Sequence, residues 1–267
     1  MKESFFPNRI IHIAALLIAS IVLALPYPLI VGMNAFSPDD YRGTVFYVLS
    51  GSLFTGICCL VNYRRHQRME WNFYPVDVRQ SWLPLIVLLL FSIGIHYPVN
   101  NLILQLMNHP PELTNPVVRP IHAIGAILVA PVVEEIIYRG IVLKGLLTRY
   151  APQKAILLSA LIFGIMHWLP LQIWGASITG LILGWVYYQT KSIGTTILLH
   201  SLINTAVLIS QYVFFLYPDL LSSASANLFL LILSIPLLTI AARQLFSKWN
   251  TLPLASKTDD GEIMMEG

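Results

Sequence analysis

The chain alternates long apolar runs with short polar ones. Eight of the apolar runs approach or exceed the length of a bilayer crossing: Ile10 to Gly32, Tyr41 to Tyr63, Trp82 to Met107, Ile121 to Leu147, Ala155 to Trp168, Ile173 to Gln189, Ile193 to Tyr217 and Asn227 to Phe246. A span needs about 20 mostly apolar residues, because a rise of about 1.5 Å per residue must cover a hydrocarbon core of roughly 30 Å. The fifth and sixth runs are short, and Leu169, Pro170 and Leu171 read as a tight turn between them. The pattern predicts an all-α, polytopic membrane protein with about eight transmembrane helices. A single transmembrane domain over residues 1–249 precedes a short cytoplasmic tail, 250–267, whose acids Asp259, Asp260, Glu262 and Glu266 read as disordered. Lys2 and Arg9 give the first run the look of a signal peptide. Its length, its end at Pro26 and Pro28 and the lack of a small-x-small site favour a retained helix.

Composition agrees with the pattern. Of 267 residues 56% are hydrophobic and 11% charged, against about 45–50% and about 25% in a soluble domain. With a mean hydropathy of +0.70, too few charges remain to cover a water-soluble surface. The net charge of +3 reports orientation and makes no case for nucleic acid. Lys2 and Arg9, Arg64, Arg65, Arg68 and Arg79, Lys144, Arg149 and Lys154, Lys191, and Arg243, Lys248 and Lys257 all fall on one side of an eight-span arrangement; only Arg42 and Arg119 fall on the other. Both termini are therefore expected in the cytoplasm. Cys58 and Cys59 are adjacent, without disulfide geometry or metal-ligand spacing, and read as packing residues.

Acids are excluded from the runs except at Glu134 and Glu135. An ionisable group in a span normally faces the protein interior or a water-filled cavity and marks a functional site. At about 100° per residue, Arg139 stands about 40° from Glu135, at i+4, and about 140° from Glu134. Glu135 and Arg139 thus make the expected ion pair. Glu134 has no neutralising partner on its own helix and is free to titrate or act as a base. Pro131 has no N–H for the carbonyl of Ile127, which predicts a kink that opens the helix there.

Two further runs carry polar groups at helical spacing. Phe163 and His167 stand at i and i+4 with Ser159 a turn before; His200 and Asn204 stand at i and i+4 with Ser201 and Thr205 beside them. Together with the glutamates they supply a base, two imidazoles and a neutral donor. Counted from the cytoplasmic ends, His200 lies about 10 Å in and Glu134 and His167 roughly 20 Å in, so tilt or projecting helices must bring them level. His96, Asn100 and Asn101 either line the same cavity or sit near the outer interface. Gly175, Gly180 and Gly184 form a small-residue packing face. His12, His66, His109 and His122 have no partner pattern, and Trp71, Trp82, Trp168, Trp174 and Trp249 fall near span ends as an interfacial belt would.

The run Glu134, Glu135, Ile136, Ile137, Tyr138, Arg139 resembles the EExxxR motif of the CPBP family, the CAAX prenyl endopeptidases and bacteriocin-processing enzymes. Phe163 to His167 is similar to its FxxxH motif and His200 to Asn204 to its HxxxN motif, in the right order and each on its own apolar segment. The resemblance covers about residues 121–211, and the first three runs carry no motif. It implies an intramembrane endopeptidase with its catalytic cavity open toward the cytoplasm. Glu134 would activate a water, His167 would orient it or share its proton, and His200 and Asn204 would stabilise the oxyanion. Glu135, Arg139 and Phe163 would support them.

Metal-free, glutamate-based hydrolysis is the favoured reading, because the HExxH spacing of zinc proteases is absent. The alternative is zinc held by Glu134, His167 and His200. The expected partner is a membrane-associated peptide or protein substrate, prenylated or a peptide precursor, in a bilayer that the resemblance makes a bacterial cell membrane. Two other classes compete: a non-catalytic scaffold or bacteriocin-immunity protein of the same fold, and a proton-coupled transporter, for which buried Glu and His are equally suited.

Overall fold

The computed structural model describes residues 5–32, 41–69, 71–74, 78–107, 123–167, 169–217 and 223–250. Among them all regular structure is helical, in eight successive segments that follow the apolar runs. We number these α1 (Ile10–Ala24 with Pro26–Val31), α2 (Tyr41–Arg64) and α3 (Val78–Phe91 and Tyr97–Leu106, joined by a π turn at Ser92–His96). In α4, wide π-register stretches at Gly125–Val129 and Ile136–Leu143 flank Ala130–Glu135, and Lys144–Leu147 follows. The remainder are α5 (Pro152–Ile165), α6 (Pro170–Thr190), α7 (Ile193–Leu216) and α8 (Ala224–Asn250). Residues 251–267, Trp168, His109 and His122 lie outside the described residues, as does the side chain of Trp249.

Five helical stretches are long and apolar enough to cross a bilayer: Ile10–Val31, Arg42–Arg64, Ser81–Leu106, Ile193–Phe214 and Ala224–Ser247. The chain is an integral, multi-pass membrane protein. The expectation of about eight transmembrane helices is narrowed accordingly. α4 breaks its apolar run with Glu134, Glu135 and Arg139, α5 has 14 residues, and α6 carries Gln172 near its start and Gln189 and Thr190 at its end.

α4 is the axis of the molecule. α2, α5, α6 and α7 all pack on it, and every residue from Ile137 to Leu143 is buried. Ile141, Val142, Leu143 and Leu146 join Phe54 and Cys58 of α2 and Phe163 of α5 in one apolar cluster. A second cluster ties α3, α6, α7 and α8 through Leu88, Leu183, Leu199 and Leu245. α5 and α6 make a tight hairpin. A Cβ on Gly180 would stand 3.0 Å from Phe163 and one on Gly184 3.3 Å from Ile156, so the small residues set the approach.

Local signals fix the hinges around this axis. The expected turn at Leu169 to Leu171 comes earlier, because Leu169 is extended and Pro170, with its φ already helical, opens α6. At the far end Lys191 takes a left-handed conformation (φ 53°), and Ser192 caps α7 by accepting the Thr195 N–H at 3.1 Å. A two-residue connection therefore sets the register of α7, and with it the position of His200.

Candidate active site

The site forms where α4, α5 and α7 meet, with α2 alongside. Glu135 is fully buried and accepts a hydrogen bond from Arg139 Nη1 at 2.9 Å across the expected i+4 spacing. The contact is a single N–H···O bond. Arg139 gives Nη2 to the Gly180 carbonyl at 3.3 Å and lays its guanidinium 4.9 Å from the Phe163 ring centroid. One cation is thereby shared between a carboxylate, a carbonyl and an aromatic face, and α4, α5 and α6 are joined by it.

His200 links the two glutamates. Its Nδ1 lies 2.8 Å from Glu135 Oε1 and its Nε2 3.7 Å from Glu134 Oε2. The Arg139-paired carboxylate of Glu135 can only accept, so the proton sits on Nδ1. Nε2 then carries a lone pair in the neutral ring and a second N–H in the imidazolium. In the neutral ring two acceptors would face each other across 3.7 Å, so a proton on one of them turns the contact into an attraction.

Glu134, 14% exposed, is the open member of the pair. Its other oxygen accepts the Tyr47 hydroxyl at 2.8 Å. Tyr47 belongs to α2, which carries no motif, and only a hydroxyl in an apolar run hinted at it. The mismatch in depth expected between His200 and Glu134 is absent in three dimensions, where their side chains stand 3.7 Å apart.

His167 follows the last turn of α5 and gives Nδ1–H to the Phe163 carbonyl at 2.9 Å. A carbonyl cannot donate, so Nε2 is left as an acceptor. The Phe163 ring lies between the histidines, 4.8 Å from His167 and 5.9 Å from His200 between centroids, both edge-on. Ser159 fastens α5 to α4 through the Tyr138 carbonyl (3.2 Å). Asn204 Nδ2 donates to the Ala126 carbonyl at 2.9 Å. Among the described residues no three His, Cys, Asp or Glu side chains form a set able to hold a metal ion. Glu134, His167 and His200 do not make the zinc site considered above, and no step is derived through one.

Several polar groups act one layer out. His96 Nε2 and Asn100 Nδ2 both donate to the Leu171 carbonyl, at 2.9 and 3.2 Å, and Trp174 Nε1 donates to Asn100 Oδ1 at 3.0 Å. They fasten α3 to the first turn of α6, four residues beyond His167. Trp71 packs on Gly140, where a Cβ would stand 2.9 Å from its ring. The connection it belongs to bonds the start of α7 through Ile193 N–H to Asn72 carbonyl (2.8 Å) and Ser192 hydroxyl to Tyr74 carbonyl (3.1 Å).

Fold and site together define a polytopic, all-helical membrane protein with a paired-glutamate, histidine cluster at its axis. Residues 116–206 match the family model described as Rce1-like, type II CAAX prenyl endopeptidase, a segment that contains Glu134, Glu135, Arg139, Phe163, His167, His200 and Asn204. Comparison with curated proteins and with solved structures gave no match.

Proposed function

We propose that the protein is a glutamate-dependent intramembrane endopeptidase that hydrolyses a peptide bond of a membrane-associated substrate. The observation that carries this reading is the asymmetry of the glutamates: Glu135 is neutralised by Arg139 and holds the back of His200, while Glu134 faces the front of His200 and is partly open. In the proposed reaction Glu134 takes a proton from a water as the water oxygen bonds to the scissile carbonyl carbon. His167 Nε2, an acceptor, orients that water. The oxyanion is met by the Nε2–H of imidazolium His200, which Glu135 holds in place through Nδ1–H, and by the remaining amide hydrogen of Asn204. Collapse breaks the C–N bond, and the proton held by Glu134 passes to the leaving amine.

The basic residues favour an arrangement in which all eight segments traverse the bilayer and both termini are cytoplasmic. The family description favours substrates of CAAX type, carrying a prenylated C-terminal peptide; peptide precursors are the other substrate class. Comparative peptidomics of membranes carrying the wild-type chain or Glu134→Ala tests activity and finds the substrate together. The expected result is a peptide released only with wild type. Identical peptide sets from the two membranes would overturn the reading.

A further inference from the structure

The turn that delivers Glu134 has a hydrogen-bond deficit. In the π register of Gly125–Val129, the Ala130 N–H bonds to the carbonyl of Gly125, five residues back. The next carbonyl in that register, Ala126, faces the nitrogen of Pro131, which carries no hydrogen. In this register Ala126 is therefore left without a backbone N–H. In a bilayer such a group must find a partner inside the protein. It finds one on α7: Asn204 Nδ2 donates to it at 2.9 Å from 78 residues away in sequence.

The geometry points to Asn204 as a backbone clamp. Its amide supplies the hydrogen that Pro131 lacks and so fixes the turn from which Glu134 projects three residues later. His200 lies one turn before Asn204 on the same helix, so α7 grips α4 twice, at the carboxylate and at the kink above it. Asn204 is in this respect a positioning residue that acts through Glu134. The effect on turnover rests on the proteolytic reading; the clamp itself rests only on the Ala126 bond.

Four full-length chains purified in detergent test the inference: wild type, Asn204→Leu, Pro131→Ala and the double variant. Each is assayed for melting temperature and for turnover of a farnesylated CaaX reporter peptide. Alanine at 131 restores a backbone N–H to the turn, so it should make the Asn204 bond dispensable for holding that turn. Asn204→Leu is expected to lower Tm by about 2–4 °C when Pro131 is present and by less than about 1 °C when it is replaced. Its kcat should fall in both backgrounds, because the oxyanion donor is lost in both, and about tenfold or more further where Pro131 is present, with KM unchanged. If Asn204→Leu costs the same Tm and the same kcat in both backgrounds, the clamp is overturned and Asn204 acts on the substrate alone. If wild type leaves the peptide intact, that outcome counts against the proteolytic reading on this substrate, and the thermal difference still decides the clamp.

Discussion

On the Glu135 side of α4, a carboxylate with no exposure meets Arg139 and His200 Nδ1, and Phe163 closes over the guanidinium. On the Glu134 side, one residue away, the carboxylate keeps 14% exposure, and its partners, Tyr47 and His200 Nε2, come from other helices. Burial is affordable for the first charge because an opposite charge sits at bonding distance on the same helix. The second has neutral or switchable partners and access to the outside, which is what a group that must gain and lose a proton needs. Adjacent positions on a helix point about 100° apart, so two identical side chains that share one histidine still meet different surroundings, one closed and one open.

The wall should be the more fragile half. Arg139→Met leaves Glu135 buried with His200 as its remaining partner, and losing one partner of a buried pair costs about 3–5 kcal/mol. The expected outcome is a large fall in Tm, or failure to accumulate in membranes, read by thermal melting and membrane yield. The open half should respond in rate and much less in stability. Tyr47→Phe removes the hydroxyl that positions the Glu134 carboxylate, and the expected outcome is a roughly ten- to hundredfold loss of kcat with KM held. Smaller effects come from the layer outside. Gly140→Ala forces a methyl to within 2.9 Å of Trp71 and 3.1 Å of Ile193, and overpacking of this kind costs about 1–3 kcal/mol, visible as a lower Tm. Ser192→Ala removes the cap of α7 and should cost about 1 kcal/mol, the least of the four, measured the same way.

What could be read from sequence follows the range of the interactions. The Glu135–Arg139 pair is a one-helix relation fixed by i+4 spacing, and it stands as expected. Phe163, His167, His200 and Asn204 announced themselves by spacing within their own helices. The contact between Tyr47 and Glu134 joins residues 87 apart and depends on how α2 leans on α4, which no local pattern encodes. Pro131 announced a kink, yet which carbonyl faces it depends on the register, and the π turn sets Ala126 opposite the proline, where Asn204 meets it. Trp71 and Trp174 share the amphipathic character of an interfacial belt, but packing on Gly140 and a hydrogen bond to Asn100 hold them within the helix assembly. The apolar runs were correctly located. Five of them carry helices long and apolar enough to cross a bilayer; the charges of α4 and the shortness of α5 set those two apart.

The division of labour between the two glutamates is the central claim, and the most direct test is Glu134→Gln, measured for melting temperature and for cleavage of a substrate found by membrane peptidomics. Glutamine still accepts the Tyr47 hydroxyl but cannot take a proton from water. The account predicts a Tm within a degree or so of wild type and a loss of cleavage of about a hundredfold to ten-thousandfold. Cleavage by Glu134→Gln at the wild-type rate would contradict it.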